Sequence, residues 1–237
     1  MRTDHVTAWL IKQWLQANAP ELASGWDFEV EDEIIALATR VEETNPQIGA
    51  MFTGQNILAK TAIDMWDLKD VALLAGGAPT PLSPRPDQLL YYTDTNPEVV
   101  AEARAAGYNA LAVNVLDGSS IAQLTGAKSF IATGLFHFLT DETTSSVFAA
   151  LDQHGAQTIM LSHGRLNADP EGIKQYEKMG IRMFMRDEEQ LQALLPPGWQ
   201  IDFWALVNDY VRDTSEVGLI LSEIISTVGF YKATKTS

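Results

Sequence analysis

The sequence predicts an α/β protein built on a Rossmann-like, doubly wound sheet of about seven strands, mostly parallel, and two observations lead to that prediction. From residue 70 onward, short apolar runs alternate with helix-like segments, a pattern typical of parallel strands joined by helical crossovers. The last two apolar runs have no long helical segment between them. They are therefore expected to pair antiparallel, as a C-terminal hairpin.

A helical N-terminal cap is expected over residues 1–68, ahead of a sheet domain over residues 69–237. The segment "GQNILAKTAIDMW" places apolar residues three and four positions apart, as on one face of a helix. Residues 4–16 and 31–43 show the same period. We interpret these segments as helices that cover one end of the sheet.

Seven apolar runs are expected to be strands, and one helix between them is especially clear. Asn96 can cap the segment "NPEVVAEARAAG", Pro97 suits the first helical position, and Gly107 suits the end. The predicted strands are residues 71–75, 89–93, 110–115, 129–133, 158–162, 199–207 and 225–234.

Composition narrows the classes of function. The 237-residue chain carries a net charge of −15, which opposes nucleic-acid binding because phosphates attract basic surfaces. It has no cysteine, so disulfides and thiolate metal sites are excluded. No apolar run has the length of a membrane span, and the first residues do not resemble a signal peptide. We therefore expect a soluble cytoplasmic protein with neither a nucleic-acid nor a membrane partner, and the composition leaves its oligomeric state open.

Small and polar residues follow the first four predicted strands, at the sheet edge where α/β proteins bind ligands. Gly76 and Gly77 allow a ligand close to the backbone, and Asp94 can accept hydrogen bonds from two ribose hydroxyls. Either Asn114 or Asp117 can accept a hydrogen bond from an adenine amino group. The candidate ligand-binding residues are Ala75, Gly76, Gly77, Asp94, Thr95, Asn114, Val115, Asp117, Thr133 and Gly134.

These residues also have purely structural interpretations. The glycine pair could form only a tight turn, and Asp94 could only complement the positive end of the next helix. Asn114 could be a plain polar strand terminus, and Asp117 could cap the "SSIAQL" helix that follows it.

Four prolines follow the glycine pair, at positions 79, 81, 84 and 86. Proline inside a helix removes a backbone donor and clashes with the preceding turn, so residues 79–88 are expected to form a loop. A pyrophosphate cofactor needs the N-terminus of a helix at this point. The site therefore favours a ligand with a ribose and a base but no phosphate, such as S-adenosylmethionine.

Two histidines near this edge are candidate catalytic residues. His137, in "ATGLFHFLTDE", could be a general base toward a hydroxyl or amine, or it could simply pack between Phe136 and Phe138. His163, expected just after the fifth strand, is the second candidate. The histidine spacing matches no metal-binding motif, and no metal site is expected.

Five segments carry a family resemblance: "LLAGGAPTPL", "YYTDTNPEVVAEARA", "VNVLDGSSI", "TGLFHFLTDE" and "IMLSHG". In order and spacing they resemble class I S-adenosylmethionine-dependent methyltransferases, and in particular a bacterial S-adenosyl methyltransferase group formerly catalogued as a domain of unknown function. The resemblance covers about residues 70–205. The sequence departs from the group's pattern at Leu73, where that group has an acidic residue, at Ala75, where it has a glycine, and at Asn114, where it has an aspartate.

The resemblance implies methyl transfer from S-adenosylmethionine to a small-molecule acceptor. Two other functions remain open on the sequence. A binding or scaffold protein could keep the fold without catalysis, and a nicotinamide-dependent oxidoreductase could share the sheet. The missing G-x-G-x-x-G fingerprint argues against the oxidoreductase.

Overall fold

The structure is a computed structural model that describes residues 54–79, 83–164, 182–206 and 228–236. The helices predicted at residues 4–16 and 31–43 lie outside these ranges, so the N-terminal cap stays a prediction. The helices are α1 (Gly54–Trp66), α2 (Pro97–Ala105), α3 (Gly118–Ile121), α4 (Asp141–His154) and α5 (Glu188–Leu194). The strands are β1 (Val71–Leu74), β2 (Tyr91–Asp94), β3 (Ala110–Ala112), β4 (Ser129–Ala132), β5 (Thr158–Gly164), β6 (Trp199–Leu206) and β7 (Val228–Lys235).

The seven strands form one sheet in the order β3-β2-β1-β4-β5-β7-β6. Strands β1 to β5 are parallel, and β7 runs antiparallel to both of its neighbours, β5 and β6. This confirms the predicted fold class, including the antiparallel C-terminal pair. The chain moves outward from β1 to β3 and then crosses back to β4. The strand order therefore reverses between β1 and β4, which is where sheets of this kind bind ligands.

Alternate residues of each strand face opposite layers, so the sheet has a core on both sides. One core joins α1 and α2 to the sheet through residues such as Leu58, Leu73 and Phe230. The other joins α4 and α5 through residues such as Phe148 and Leu191. Burial of all four residues in β1 and in β4 follows from this double coverage.

The helix from residue 97 begins and ends as the sequence predicts. The Asn96 side chain accepts a hydrogen bond from the Glu98 N–H at 2.9 Å, and Pro97 occupies the first turn. Gly107 has a φ of +91°, a left-handed conformation that stops the helix at little steric cost. Local chemistry thus sets both ends of α2.

One strand boundary differs from the prediction in a way that affects a candidate site residue. The prediction that His163 follows the fifth strand is wrong, because β5 continues to Gly164 and His163 pairs with Gly229 of β7. The antiparallel ladder with β7 extends β5 beyond the apolar run that marked it in the sequence. His163 is consequently a fully buried strand residue.

None of the helices within the described ranges is long and apolar enough to cross a membrane.

Candidate functional site

The turn after β1 is built around a tyrosine. The Tyr92 hydroxyl donates to the carbonyl oxygens of Gly76 and Gly77, at 2.8 and 3.0 Å. The Gly76 N–H donates to the Thr93 carbonyl at 2.8 Å. A Cβ atom on Gly76 would lie 2.5 Å from Cε1 of Tyr92, closer than real Cβ contacts come. Glycine at position 76 therefore lets the turn lie against the buried tyrosine ring.

The residues on either side of Gly76, Ala75 and Gly77, both have a left-handed backbone conformation. Gly77 has a φ of +67°, and an added Cβ would meet no atom of the described residues within 4 Å, so its backbone borders open space in this part of the structure. Ala75 has a φ of +51°, a left-handed conformation that is unfavourable for a residue with a Cβ. The resembling group has a glycine at this position, a residue that adopts such a conformation at little steric cost.

Asp94, the last residue of β2, connects this turn to the next helix. Its Oδ2 accepts from the Gly77 N–H at 3.1 Å, and its Oδ1 accepts from the Asn96 N–H at 2.9 Å. Each carboxylate oxygen has room for a second hydrogen bond, because each carries two lone pairs. The half-buried carboxylate can therefore order the glycine turn and still receive donors from a ligand.

A second tyrosine attaches the proline-containing segment to the same region. The Tyr108 hydroxyl donates to the Pro84 carbonyl at 2.7 Å, and its ring lies 4.8 Å from that of Tyr92. In the described part of residues 79–88 the only helical feature is the short 3-10 helix Pro86–Gln88. The predicted loop is confirmed for those residues; positions 80–82 lie outside the described ranges.

Past the end of β3, side chains mainly shape the backbone. The Asn114 Oδ1 accepts from the Leu116 N–H at 3.1 Å, and both residues are exposed. Asp117 caps α3 by accepting from the Ser119 N–H at 2.9 Å, as its structural interpretation predicts. Val115 packs into the core. An adenine contact by Asn114 remains a prediction.

The ends of β4 and β5 are joined through a serine. Gly134, with a φ of +74°, donates its N–H to the Ser162 hydroxyl at 2.8 Å. Thr133 is buried, whereas Thr95 at the β2 edge is exposed. The direct hydrogen bonds thus pair Gly77 with Asp94 and Gly134 with Ser162. The other candidate residues follow the ends of parallel strands, and these ends lie at the same edge of the sheet, so we place those residues at this edge as well.

His137 lies in the short 3-10 helix Phe136–Phe138, just past β4. The residue is half-buried, but its Nδ1 is buried and has no hydrogen-bond partner within the described residues. Burial, with smaller contributions from nearby His163 and Arg186, lowers the pKa of His137 to about 3. The ring is therefore neutral near pH 7. It also packs 4.1 Å from the Phe138 ring, so packing and an available nitrogen coexist.

A buried arginine organises the residues around the two histidines. Arg186 Nη1 lies 2.8 Å from His163 Nε2 and 3.1 Å from the Phe136 carbonyl oxygen, to which it donates. Nη2 donates to the Leu139 carbonyl at 2.6 Å, and Nε donates to Asp141 at 2.8 Å. We call residues 136–139 the β4 turn and residues 182–187 the arginine segment. The arginine segment holds the β4 turn by these contacts.

Tyr92, Ser162 and Arg186 are site residues that sequence analysis did not identify. Tyr92 and Ser162 lie in predicted strands, and the alternation of strand side chains could have directed attention to them. Arg186 had no such signal, because its partners other than the Phe184 carbonyl lie 23 to 50 positions away in the chain. No cluster of three or more potential metal ligands occurs in the part of the chain that the structure describes.

Comparison with known proteins identifies the fold. No protein-family model matches the chain, and no curated protein matches its sequence. Solved structures do match: a DUF574 family protein from Streptomyces avermitilis aligns with a TM-score of 0.61 and 13% identity over 99% of this chain and 97% of its own. Magnesium protoporphyrin IX methyltransferase from Synechocystis, with bound SAH, aligns with a TM-score of 0.54 and 14% identity over 97% and 100%.

The fold is that of class I S-adenosylmethionine-dependent methyltransferases. Mitomycin 7-O-methyltransferase also shares it, with a TM-score of 0.53, 12% identity, and coverage of 99% of this chain and 69% of its own. The resemblance found in the sequence is therefore confirmed at the level of the fold. At such low identities the functional roles of individual residues have to come from this chain's own geometry.

Proposed function

We propose that this protein transfers a methyl group from S-adenosylmethionine to a small-molecule acceptor. One observation supports the proposal most strongly: the Asp94 carboxylate accepts a hydrogen bond from the N–H of Gly77 in the glycine turn. The two residues lie where the strand order reverses. A carboxylate and a close backbone approach are what a nucleoside with a free ribose requires. Neighbouring structures with the same fold, one of them with bound SAH, support the assignment.

The described residues fit such a ligand on geometric grounds. The space beside Gly77 is open, so a ligand can approach the backbone there. The Asp94 oxygens keep lone pairs for the two ribose hydroxyls, and the Asn114 side chain lies past the end of the neighbouring strand β3. A pyrophosphate fits less well, because the residues described after the glycine turn, 78–79 and 83–90, form no long helix whose N-terminus could bind it.

The chemistry asked of the protein is modest. The cofactor, when bound, supplies a methyl group already activated on a sulfonium. The chain must align the acceptor, keep water away and, for a hydroxyl or amine, accept a hydrogen bond from it. We assign the last role to His137, whose neutral ring lies just past β4 and whose Nδ1 has no hydrogen-bond partner among the described residues. With so low a pKa, His137 orients the acceptor by a hydrogen bond, and the proton that the hydroxyl or amine loses on methylation passes to solvent.

A second candidate is a protein that binds the ligand without transferring a methyl group. Leu73 is the observation that favours it, because this side chain is fully buried in the core. No carboxylate is therefore available from the position where the resembling group has an acidic residue. Binding without turnover is the result that would select this candidate.

Binding is tested by calorimetric titration with S-adenosylmethionine and SAH, with NAD as the comparison ligand. A ligand present at about one hundred times its Kd should stabilise the protein by about 2.7 kcal/mol. At this chain length that corresponds to a rise in Tm of roughly 5–11 °C. Stabilisation by NAD and not by SAH would overturn the proposal in favour of an oxidoreductase. No binding of either adenosyl ligand at millimolar concentration would also overturn it.

Transfer is tested separately, with methyl-labelled S-adenosylmethionine and a cell extract that is fractionated into small molecules, proteins and nucleic acids. Label should appear in a small-molecule product and depend on the protein. Asp94→Asn serves as the matched variant, because it keeps the shape of the side chain but removes its charge and one acceptor oxygen. Label found only in nucleic acid would contradict the assigned acceptor class.

A further inference from the structure

Arg186 is the only buried residue with a permanent charge in the described part of the chain, and it is 2% exposed. A charge removed from water is tolerated only when its hydrogen-bonding groups find partners. Its guanidinium meets the Phe136 and Leu139 carbonyls, the Asp141 carboxylate and the His163 ring. The guanidinium of Arg186 is therefore held against the β4 turn and against the ring of His163.

The contact with His163 fixes the protonation of that ring. A guanidinium only donates hydrogen bonds and stays protonated in proteins. The Nε2 of His163, 2.8 Å from Arg186 Nη1, must therefore be the acceptor and carry no proton. The ring is consequently the neutral tautomer with its proton on Nδ1. This follows from the chemistry of the pair and does not require the hydrogen atoms to be located.

The same residue also controls where His137 lies. Arg186 donates hydrogen bonds to the carbonyls of Phe136, one residue before His137, and Leu139, two residues after it. The Phe184 N–H donates to the His137 carbonyl at 2.7 Å. The two histidine rings lie 6.1 Å apart, nearly perpendicular. The arginine segment thus holds the backbone of His137, while the Nδ1 of His137 has no hydrogen-bond partner in the described ranges.

The geometry points to Arg186 as a positioning residue. By accepting from Arg186, His163 is held as the neutral Nδ1–H tautomer and withdrawn from proton transfer. By binding the carbonyls of the β4 turn, Arg186 leaves His137 as the imidazole that meets the methyl acceptor. The second statement rests on the proposed function, whereas the tautomer of His163 does not.

The tautomer is tested on the wild-type protein by long-range ¹H–¹⁵N NMR of the histidine rings near pH 7. His154 supplies an internal reference, because its Nε2 lies 2.8 Å from the Leu124 carbonyl, which can only accept. His154 should therefore show a proton on Nε2, and His163 should show one on Nδ1. An Nε2–H signal for His163 would overturn the inference, whether or not the protein binds an adenosyl ligand.

Variants test the positioning role. Arg186→Met should give His163 mixed tautomers and lower the single-turnover rate by roughly a hundredfold, as expected when reacting groups are misplaced by about 1 Å, while donor affinity changes little. Arg186→Lys should fail to restore the rate, because one ammonium cannot span all four partners. Arg182→Met is the matched control, since exposed Arg182 lies 4.9 Å over the Phe184 ring and contacts neither histidine. A pure Nδ1–H tautomer with a full rate in Arg186→Met would refute the role.

A last pair of variants keeps the inference testable if Arg186→Met does not fold. His163→Gln retains an oxygen that accepts from Arg186 where Nε2 does, so its rate should stay within about threefold of wild type. A loss of roughly a hundredfold, the usual contribution of a general base, would instead make His163 the catalytic group. His137→Gln should reduce the rate in the same assay, and an unchanged rate would remove His137 from the site.

Discussion

Gly76 and Gly77, adjacent in the turn after β1, should both lose stability when substituted by alanine, but by different amounts and for different reasons. In Gly76→Ala the new methyl carbon would lie 2.5 Å from Cε1 and 2.6 Å from Cζ of Tyr92. The ring cannot move aside cheaply, because Tyr92 is 1% exposed and packs against Tyr108. Its hydroxyl also donates hydrogen bonds to the Gly76 and Gly77 carbonyls of the turn. The substitution should therefore separate the turn from the ring.

The cost of Gly76→Ala has two parts. Forcing a methyl group into a filled core costs typically about 1–3 kcal/mol. Losing a hydrogen bond to a buried carbonyl adds about 1–3 kcal/mol. We expect a total of about 3 kcal/mol, because relaxation that relieves the clash weakens the hydrogen bonds instead. For a chain of this length this corresponds to a fall in Tm of roughly 6–12 °C.

Gly77→Ala is the matched control. An added Cβ there meets nothing within 4 Å, and only the positive φ penalises it, by about 1–2 kcal/mol. Its methyl group would occupy the open space of the proposed ligand, so SAH affinity should fall more than stability. Urea unfolding measures the free energies, and calorimetry measures the affinities. If Gly76→Ala unfolds within about 0.5 kcal/mol of wild type, or if Gly77→Ala is the less stable variant, the geometry described for the turn is wrong.

Three further substitutions should have measurable effects. Asp94→Ala leaves the Gly77 and Asn96 N–H groups without their acceptor, so stability should fall by about 1–3 kcal/mol and SAH affinity should fall as well; loss of neither would contradict the role of Asp94. Ala75→Gly should raise stability by about 0.5 kcal/mol, since relief of left-handed strain exceeds the entropy that glycine adds to the unfolded chain; a clear loss in urea unfolding would count against it. His137 has a pKa lowered to about 3 in the folded protein, so the unfolded state binds the extra proton between about pH 6.5 and pH 3, and stability should fall as the pH drops through that window. His137→Gln should remove this component, at most about 5 kcal/mol, and an identical pH dependence in both proteins would refute the shift.

Features set by neighbouring residues were predictable from the sequence. The cap at Asn96, the proline after it and the stop at Gly107 all act within a few positions, so the sequence pattern contains the whole cause. The buried strands were equally visible, because coverage on both faces demands unbroken apolar runs. The glycine turn and Asp94 also follow, since parallel strands that end at one edge bring such residues together.

Features set by distant partners were not predictable. The sequence offers no reason for β5 to continue through His163, because the extension depends on pairing with Gly229 of β7. Arg186 shows the same limit, since its importance depends on carbonyls of the β4 turn that a single arginine in the sequence does not reveal. The left-handed backbone at Ala75 is likewise imposed by the surrounding turn rather than by the residue itself.

The central position of β7 between β5 and β6 has a consequence for how the protein is made. Both flanking strands are synthesised before the strand that joins them, and β7 is the only described partner of β6. Until β7 arrives, β5 has one unsatisfied edge and β6 has none of its described pairing. Such edges are templates for association between chains, and pairing across a long sequence separation is slow. A nascent chain stalled before Val228 would therefore expose an edge of β5 and leave β6 without its described partner, which ties the sheet's protection against aggregation to a strand that is synthesised after both of its neighbours.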